Sequence, residues 1–234
     1  MTDRPHLILD CYYDETGSAP NFRALLGGAP STTVRVVYEP LPTDLDQFGA
    51  IFLTGSKANL PAPEPEPWMH PLLELIRRIH AEERPLLGIC FGHQAIAAAL
   101  GGLEAVRRAP RSELGWETIR VERANPLLEG LPEEFTCFVS HFDEVSPDLQ
   151  GVEVFASSER CPVQAFQVHD RPIWSMQFHP EMDPDESETL VRSNLARHET
   201  LGDDPEAVLA TRRDSRDLGE VIFANFLALH AEPR

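Results

Sequence analysis

The chain has few cysteines, no C-x-x-C pair and no long apolar run. Irregular spacing of the cysteines argues against a disulfide framework and against a zinc knuckle. No apolar stretch approaches the roughly 20 residues that span a bilayer, and the N-terminal run is too short for a signal peptide. We therefore expect a cytoplasmic protein in which an unpaired cysteine is free to react. The cysteines are Cys11, Cys90, Cys137 and Cys161.

Basic residues are also scarce in this chain. Twenty Lys and Arg residues against thirty-eight Asp and Glu residues give a formal net charge of -18 at pH 7. An acidic surface repels phosphate backbones and anionic lipid headgroups. We therefore expect neither nucleic acid nor a membrane as a partner, and we infer no positive function from the acidity itself.

The order of apolar segments predicts an α/β protein. The chain is long enough for one substantial core, and we predict a single domain over residues 1–234. Strands alternate with helical patterns in the first hundred residues, as in parallel βαβ units, and closely spaced strands after Glu117 indicate an antiparallel extension. Asp-Pro pairs at Asp183 and Asp204, and an apolar stripe from Leu218 to Leu229, predict C-terminal helices over residues 183–234. The predicted strands cover residues 7–9, 34–38, 50–53, 85–89, 118–121, 136–139, 152–156, 163–168 and 173–178.

One cysteine lies between two glycines where a predicted strand meets an alanine-rich helix, in G-I-C-F-G-H-Q at residues 88–94. G-x-C-x-G at such a junction is the cysteine form of a nucleophile elbow, a sharp turn that presents a side chain above the sheet. Gly88 and Gly92 suit the turn because it has no space for a Cβ atom. The helix N-terminus stabilises a thiolate at Cys90, and free N–H groups, beginning with that of Phe91, can receive an oxyanion. Alone, the motif is equally consistent with a small buried cysteine.

A histidine and a glutamate supply the other groups that a thiolate nucleophile needs. They stand in Q-F-H-P-E at residues 177–181, at the end of the last predicted strand. On an extended segment His179 and Glu181 project to the same side, so Glu181 can hold the ring of His179 in one tautomer. A base oriented by a carboxylate would complete a nucleophile–base–acid triad with Cys90. H-P-E is weak evidence alone, but together with the elbow it favours cysteine-dependent catalysis.

With these two motifs the chain resembles the class I, triad-type glutamine amidotransferases. T-G-S at residues 54–56 and S-H-F-D-E-V at residues 140–145 add to the resemblance, which extends from the first strand to about residue 182. It implies a flavodoxin-like three-layer sandwich with a mostly parallel central sheet. The implied reaction is hydrolysis of the γ-carboxamide of L-glutamine through a γ-glutamyl thioester, which releases glutamate and ammonia and uses no cofactor.

The resemblance also implies roles for particular residues. The catalytic triad would be Cys90, His179 and Glu181. The oxyanion hole would be formed by the backbone amides of Gly55 and Phe91. The amino-acid end of the substrate would be contacted by Gln94, Ser140, His141 and Phe142.

Three functions stay open at this point. The first is a glutaminase whose ammonia is released or passed to a separate synthetase subunit, as in relatives similar to GMP synthase glutaminase subunits. The second is a γ-glutamyl peptidase, which uses the same triad on a larger leaving group. The third is a catalytically silent regulatory or binding subunit, which the intact triad disfavours. The helices after residue 183 have three candidate roles: covering the sheet, forming a homodimer contact or docking a synthetase.

Two further histidine positions are interpreted without catalytic roles. His93 adjoins the elbow, but a neighbouring helical residue points away from the thiol, and we interpret it as a packing residue. His141, Asp143 and Glu144 match no metal-binding spacing, so we predict no metal site.

Overall fold

The computed structural model describes residues 4–14, 17–61 and 65–231. Its strands are β1 (His6–Asp10), β2 (Ser31–Arg35), β3 (Ile51–Leu53), β4 (Leu86–Ile89), β5 (Val106–Val121), β6 (Glu134–Val145), β7 (Val152–Ser157), β8 (Ala165–Val168) and β9 (Ile173–Met176). Its α-helices are α1 (Ala19–Leu25), α2 (Met69–Ala81), α3 (Phe91–Gly101), α4 (Pro184–Ser193), α5 (Leu195–Leu201), α6 (Pro205–Ala210) and α7 (Arg216–Leu229).

The strands of the described residues form one sheet in the order β2-β1-β3-β4-β9-β8-β7-β5-β6. From β2 to β9 every neighbouring pair is parallel, and from β9 to β6 every pair is antiparallel. The predicted α/β class with an antiparallel extension and C-terminal helices is confirmed. The antiparallel part is as extensive as the parallel part, because β5 and β6 form a long hairpin.

The parallel strands are buried on both faces, which gives the molecule its three layers. On β1, Leu7 and Leu9 pack into a core with α2 and α3, whereas Ile8 packs into a second core with α1 and α7. All three side chains are fully buried. Alternation between two covered faces is the pattern expected when helices lie on both sides of a parallel sheet.

The second strand begins earlier than its sequence pattern predicts. β2 covers Ser31–Arg35 and pairs with β1 through the β-branched residues Thr32 and Thr33. The predicted strand at residues 34–38 is wrong after Arg35, because the Tyr38 amide donates to the Arg35 carbonyl oxygen at 2.8 Å and closes a turn. No helix in the described ranges has both the length and the apolar character needed to cross a bilayer.

The long β5–β6 hairpin contains an irregularity that matters for the site. Its register shifts between Arg108 and Glu113, an interval that includes Pro110, which has no N–H to give to a partner strand. A bulge of this kind re-aims the side chains that follow it. Glu113 comes out of the bulge fully buried.

The C-terminal helices begin where the Asp-Pro pairs predict. The Asp183 side chain accepts the Asp185 amide at the start of α4, and Asp204 accepts the Glu206 amide at the start of α6. The short helix α5 between them is not anticipated by the sequence pattern. Together α4 and α6 cover a small third core on the hairpin, formed with Trp116.

Helix α7 packs on the parallel part of the sheet. Its Phe223 ring stacks on Phe52 of β3 at a centroid distance of 5.2 Å, and this pairing turns the buried face toward Phe223. The predicted apolar stripe is therefore wrong at Leu229, which is 41% exposed. Near the start of the helix, a Cβ atom on Gly219 would lie 2.5 Å from the carbonyl oxygen of Pro180. The α7 backbone thus lies directly against the turn that contains Pro180.

Candidate active site

The sheet order brings two distant segments together at one edge. β4 and β9 are parallel neighbours in which Ile89 pairs with Met176, so the residues that follow each strand leave the sheet side by side. The Cys90 amide donates to the Met176 carbonyl oxygen at 2.8 Å. His179 continues beyond β9, where its amide donates to the Phe138 carbonyl oxygen at 2.8 Å. The carboxyl ends of parallel strands are the usual place for a site in open α/β sheets.

Cys90 forms a strained junction between β4 and α3. Its φ of +52° is unusual for a residue with a side chain. Cβ atoms on the flanking glycines would collide with their surroundings: on Gly88, 2.8 Å from the Gly92 backbone, and on Gly92, 2.5 Å from the Leu53 carbonyl oxygen. The turn therefore requires both glycines, as the elbow motif predicts. The Cys90 thiol donates to the Ser140 carbonyl oxygen at 3.8 Å.

His179 and Glu181 are in direct contact, with Nδ1 of His179 and Oε1 of Glu181 at 2.8 Å. Both side chains are almost completely buried. Burial alone would lower the pKa of His179, but the charges of Glu181 and Cys90, with hydrogen bonds to both, outweigh it and raise this pKa well above its usual value. The imidazolium form is thus favoured between a carboxylate and a thiolate.

The T-G-S loop after β3 packs against the histidine. A Cβ atom on Gly55 would lie 3.3 Å both from Cε1 of His179 and from the hydroxyl of Tyr12. The loop is tied to the elbow because the Gly92 amide donates to the Thr54 carbonyl oxygen at 3.1 Å. Phe91 is the first residue of α3, where an amide has no partner inside the helix. The structure thus brings the two predicted oxyanion-hole residues to opposite sides of one turn.

The S-H-F-D-E-V segment lies at the end of β6, beside the nucleophile. Gln94 is buried beneath it and donates from Nε2 to the Asp143 carbonyl oxygen at 2.9 Å and to Oε1 of Gln177 at 3.0 Å. Its amide nitrogen is therefore engaged within the protein and holds the segment against the end of β9. Phe142 is 39% exposed, whereas the His141 side chain points inward. The four predicted substrate-contacting residues are thus neighbours, but they differ in accessibility.

His141 takes part in a buried network that centres on Glu113. Nε2 of His141 lies 2.7 Å from Oε2 of Glu113, and Nδ1 lies 3.0 Å from the Asp143 carbonyl oxygen. The same carboxylate accepts Ser158 Oγ at 2.6 Å and Gln164 Nε2 at 2.7 Å. Since the Asp143 carbonyl only accepts, Nδ1 carries a proton, and the contact with Glu113 needs another. The His141–Glu113 pair therefore holds two protons and is neutral overall.

Three residues at this edge have no motif by which sequence reasoning could find them. Tyr12 follows β1, and burial, then the charges of Cys90 and Glu181, raise the pKa of its hydroxyl well above its ordinary value. Glu113 is turned inward by the bulge in β5. Arg197 reaches the S-H-F-D-E-V segment from α5. For Tyr12 the only available signal is its position after a parallel strand.

His93 and the other cysteines lie away from this chemistry. His93 is fully buried, with Nδ1 2.9 Å from Ser175 Oγ, and burial lowers its pKa to about 3. Burial likewise raises the pKa of Cys137 to about 12 and raises the pKa values of Cys11 and Cys161. These thiols are protonated and inaccessible, and this leaves Cys90 as the chemically available one.

The described residues contain one group of side chains with metal-ligating atoms close together. These atoms belong to Glu113, His141 and Cys161 and lie within 4.8 Å of one another. The Glu113 carboxylate is already shared among three hydrogen-bonding partners, and the Cys161 thiol donates to the Val163 carbonyl oxygen at 3.5 Å. The contacts of this group are those of a hydrogen-bonded network.

Comparison with protein-family models gives one match. The model described as "Glutamine amidotransferase class-I" matches residues 28–197, which include the elbow and Q-F-H-P-E. Among curated proteins, the glutamine-hydrolysing GMP synthase subunit of Methanococcus vannielii is 40% identical over 113 residues, 48% of this chain and 59% of that protein. Its counterpart in Methanocaldococcus jannaschii is 39% identical over 113 residues, with the same coverage. The match thus spans less than two thirds of these relatives.

Solved structures resemble the fold over nearly its whole length. A glutamine amidotransferase from Thermotoga maritima superimposes with a TM-score of 0.80 at 21% identity, covering 98% of this chain and 99% of its own. A glutamine amidotransferase from Methylobacillus flagellatus gives a TM-score of 0.77 at 23% identity, covering 99% and 97%. These likenesses support the flavodoxin-like sandwich.

Proposed function

Since this chain belongs to the class-I glutamine amidotransferase family, we propose that it is a cysteine-dependent glutamine amidohydrolase. The observation that carries the proposal is the meeting of three groups at one edge of the sheet. Cys90 stands on a positive-φ elbow, and the 2.8 Å His179–Glu181 contact stands at the end of the adjacent strand. A silent binding protein would need neither the strained cysteine nor a histidine held by a buried carboxylate.

In the proposed reaction Cys90 Sγ attacks the γ-carbonyl carbon of glutamine, and the carbonyl electrons become an oxyanion held by the Gly55 and Phe91 amides. His179 gives its proton to the amide nitrogen as the C–N bond breaks and ammonia leaves. Water then attacks the thioester and returns a proton to His179, and cleavage of the C–S bond releases glutamate. Glu181 keeps the ring oriented and stabilises its positive charge throughout.

The proposed substrate is a γ-glutamyl amide, of which L-glutamine is the smallest. Gln94, Ser140, His141 and Phe142 are proposed to surround its amino-acid end, because they adjoin Cys90 on one side of the elbow. We propose that the ammonia passes to a separate synthetase subunit. The matching relatives are named as the glutamine-hydrolysing part of a GMP synthase made of separate chains, and this supports the arrangement. Four free cysteines favour a reducing, cytoplasmic location.

The test is turnover of L-glutamine by the purified chain, followed as glutamate and ammonia. We expect hydrolysis that falls at least about 10³-fold in Cys90→Ser and persists in the control Cys137→Ala, in which another buried cysteine is removed. Iodoacetamide should label one thiol of the native protein, and peptide mapping should place the label on Cys90. Turnover that survives in Cys90→Ser would overturn the proposal.

Two other outcomes decide between the remaining functions. Hydrolysis of γ-L-glutamyl-p-nitroanilide without hydrolysis of glutamine would identify a γ-glutamyl hydrolase instead. A Cys90 that neither reacts with iodoacetamide nor turns over either substrate would identify a silent binding or regulatory protein.

A further inference from the structure

The side chain of Arg197 crosses from α5 to the segment that faces the nucleophile. Its Nη1 donates to Ser140 Oγ at 3.3 Å and its Nη2 to the His141 carbonyl oxygen at 2.6 Å. Nη2 also donates to the Glu113 carbonyl oxygen. The guanidinium carbon lies 3.9 Å from the centre of the Phe142 ring. Arg197 is thereby fixed against three consecutive residues of the proposed substrate-binding segment.

Arg197 is a cation without an anion. Its partners are carbonyl oxygens, a hydroxyl and an aromatic face, and no ion pair joins it to a carboxylate within the residues that the structure describes. Its half-buried position lowers its pKa to about 10, with a further lowering from Arg108. The Nε atom is buried and has no hydrogen-bond partner. Such a site is completed by an anion from outside the chain.

Arg108 offers an internal comparison. It lies over the same Phe142 ring, with its guanidinium carbon 4.7 Å from the ring centre. Unlike Arg197, it forms an ion pair with Asp143, with Nη1 and Oδ1 at 3.1 Å, and it is mostly exposed. Two arginines therefore share one aromatic ring, but only one of them lacks a counter-ion.

The unpaired charge stands at a suitable distance from the nucleophile. Ser140 connects the two groups, since its carbonyl oxygen faces the Cys90 thiol at 3.8 Å and its hydroxyl faces Arg197. An extended glutamine places its α-carboxylate carbon about 5 Å from the γ-carbonyl carbon, because four bonds of about 1.5 Å separate them. A substrate attacked by Cys90 can thus reach the guanidinium with its α-carboxylate. Guanidinium and carboxylate form strong charge-assisted hydrogen bonds.

We propose that Arg197 binds the α-carboxylate of the γ-glutamyl substrate, so that α5 supplies a specificity-determining residue to a site otherwise built from strand ends. The inference rests on the proposed function, because it assumes a substrate with a γ-glutamyl group. It makes a free α-carboxylate a requirement for binding and leaves the leaving group on the γ-side unrestricted.

Binding to a Cys90→Ala background tests the inference apart from catalysis. Calorimetry would compare L-glutamine with L-glutaminamide, in which the α-carboxylate is an uncharged amide. We expect glutamine to bind about 10- to 100-fold more tightly than glutaminamide, since a hydrogen bond to a charged group is at stake. Adding Arg197→Met should weaken glutamine binding by that factor and leave glutaminamide binding unchanged. Arg197→Lys should restore part of the preference.

The control is Arg108→Met, which removes the other arginine from Phe142 and should leave the preference for glutamine intact. Equal weakening of both ligands by Arg197→Met, an unchanged preference, or no binding of glutamine at all would overturn the inference. A chain that binds glutamine through Arg197 but does not hydrolyse it would refute the proposed function and leave the inference standing. Circular dichroism and thermal unfolding would show that each variant is folded.

The other anion that could compensate Arg197 is the Cys90 thiolate, and a second measurement distinguishes the two. If Arg197 stabilised the thiolate, Arg197→Met would shift the pH dependence of iodoacetamide alkylation to higher pH by about one unit for each tenfold loss of thiolate. We expect that profile to stay within about 0.3 units, because His179 is in hydrogen-bond contact with Cys90 and is its counter-ion. A larger shift would overturn the assignment of Arg197 to the substrate.

Discussion

Replacing Glu113 with glutamine exchanges one oxygen of a fully buried side chain for an NH2 group. In the native chain this carboxylate faces three donors, from His141, Ser158 and Gln164, at 2.6–2.7 Å. In Glu113→Gln the charge is lost, and His141 must give up the proton on Nε2 or keep it without a counter-ion. Its Nδ1 proton cannot move, because it is donated to a carbonyl oxygen. The substitution therefore leaves at least one buried polar contact unmade.

The size of this effect follows from burial. Breaking a buried, hydrogen-bonded charge pair by removing one partner costs about 3–5 kcal/mol, and an isosteric amide that keeps some of the contacts brings this to about 3 kcal/mol. In a chain of 150–250 residues each kcal/mol lowers the melting temperature by about 2–4 °C. We therefore expect Glu113→Gln to melt about 6–12 °C below the native protein.

Urea unfolding and differential scanning calorimetry measure this loss. The control is Glu134→Gln, in which the same exchange affects a mostly exposed ion pair with Arg120 and should change the free energy of unfolding by less than about 0.5 kcal/mol. The double variant Glu113→Gln/His141→Asn should lose about 1–3 kcal/mol less than the sum of the single losses. A loss below about 1 kcal/mol in Glu113→Gln, or additive losses, would refute the two-proton description of the pair.

Two further predictions concern the catalytic edge. Glu181→Gln should lower kcat about 10²- to 10⁴-fold, and pH profiles of kcat/KM should show the alkaline limb at lower pH, because the Glu181 charge is the largest influence raising the pKa of His179. Because the folded-state pKa of His179 lies above its unfolded value, its stabilisation is complete below about pH 6.5 and fades as pH rises through the folded pKa; urea unfolding should show a weaker pH dependence in Glu181→Gln, and an equal one would contradict this. Gly92→Ala should cost more than about 2 kcal/mol in urea unfolding, because its Cβ meets the Leu53 carbonyl oxygen at 2.5 Å. Gly27→Ala, with a φ of +60° and nothing within 4 Å, should cost only about 1–2 kcal/mol, and similar losses in both would rule out the steric reason.

The positions of Cys90, His179 and Glu181 were accessible from sequence because each stands in a short motif at a strand end. Parallel strands carry such residues to a common edge whatever the separation along the chain. The contact between His179 and Glu181 also follows from a spacing of two on an extended segment. Local rules therefore predict the core of the site.

Glu113 and Arg197 were not accessible in the same way. The inward direction of Glu113 depends on a register shift near Pro110, and a shift of one residue reverses which face a side chain takes. Arg197 lies on α5, a short helix whose sequence L-A-R-H-E-T-L carries no apolar period. Its approach to Ser140 is set by the packing of three helices on the hairpin. Such positions arise from tertiary contacts, which local patterns do not record.

The close approach of Gly219 to Pro180 has a consequence during protein synthesis. Pro180 separates His179 from Glu181, and the surface that supports this turn belongs to α7, which is translated after all three proposed catalytic residues. A nascent chain whose α7 is still inside the ribosome holds the complete set of reactive groups, but it lacks the support that fixes their geometry. We expect such ribosome-bound chains to release no ammonia from glutamine. Activity would then begin only after translation has passed the last helix.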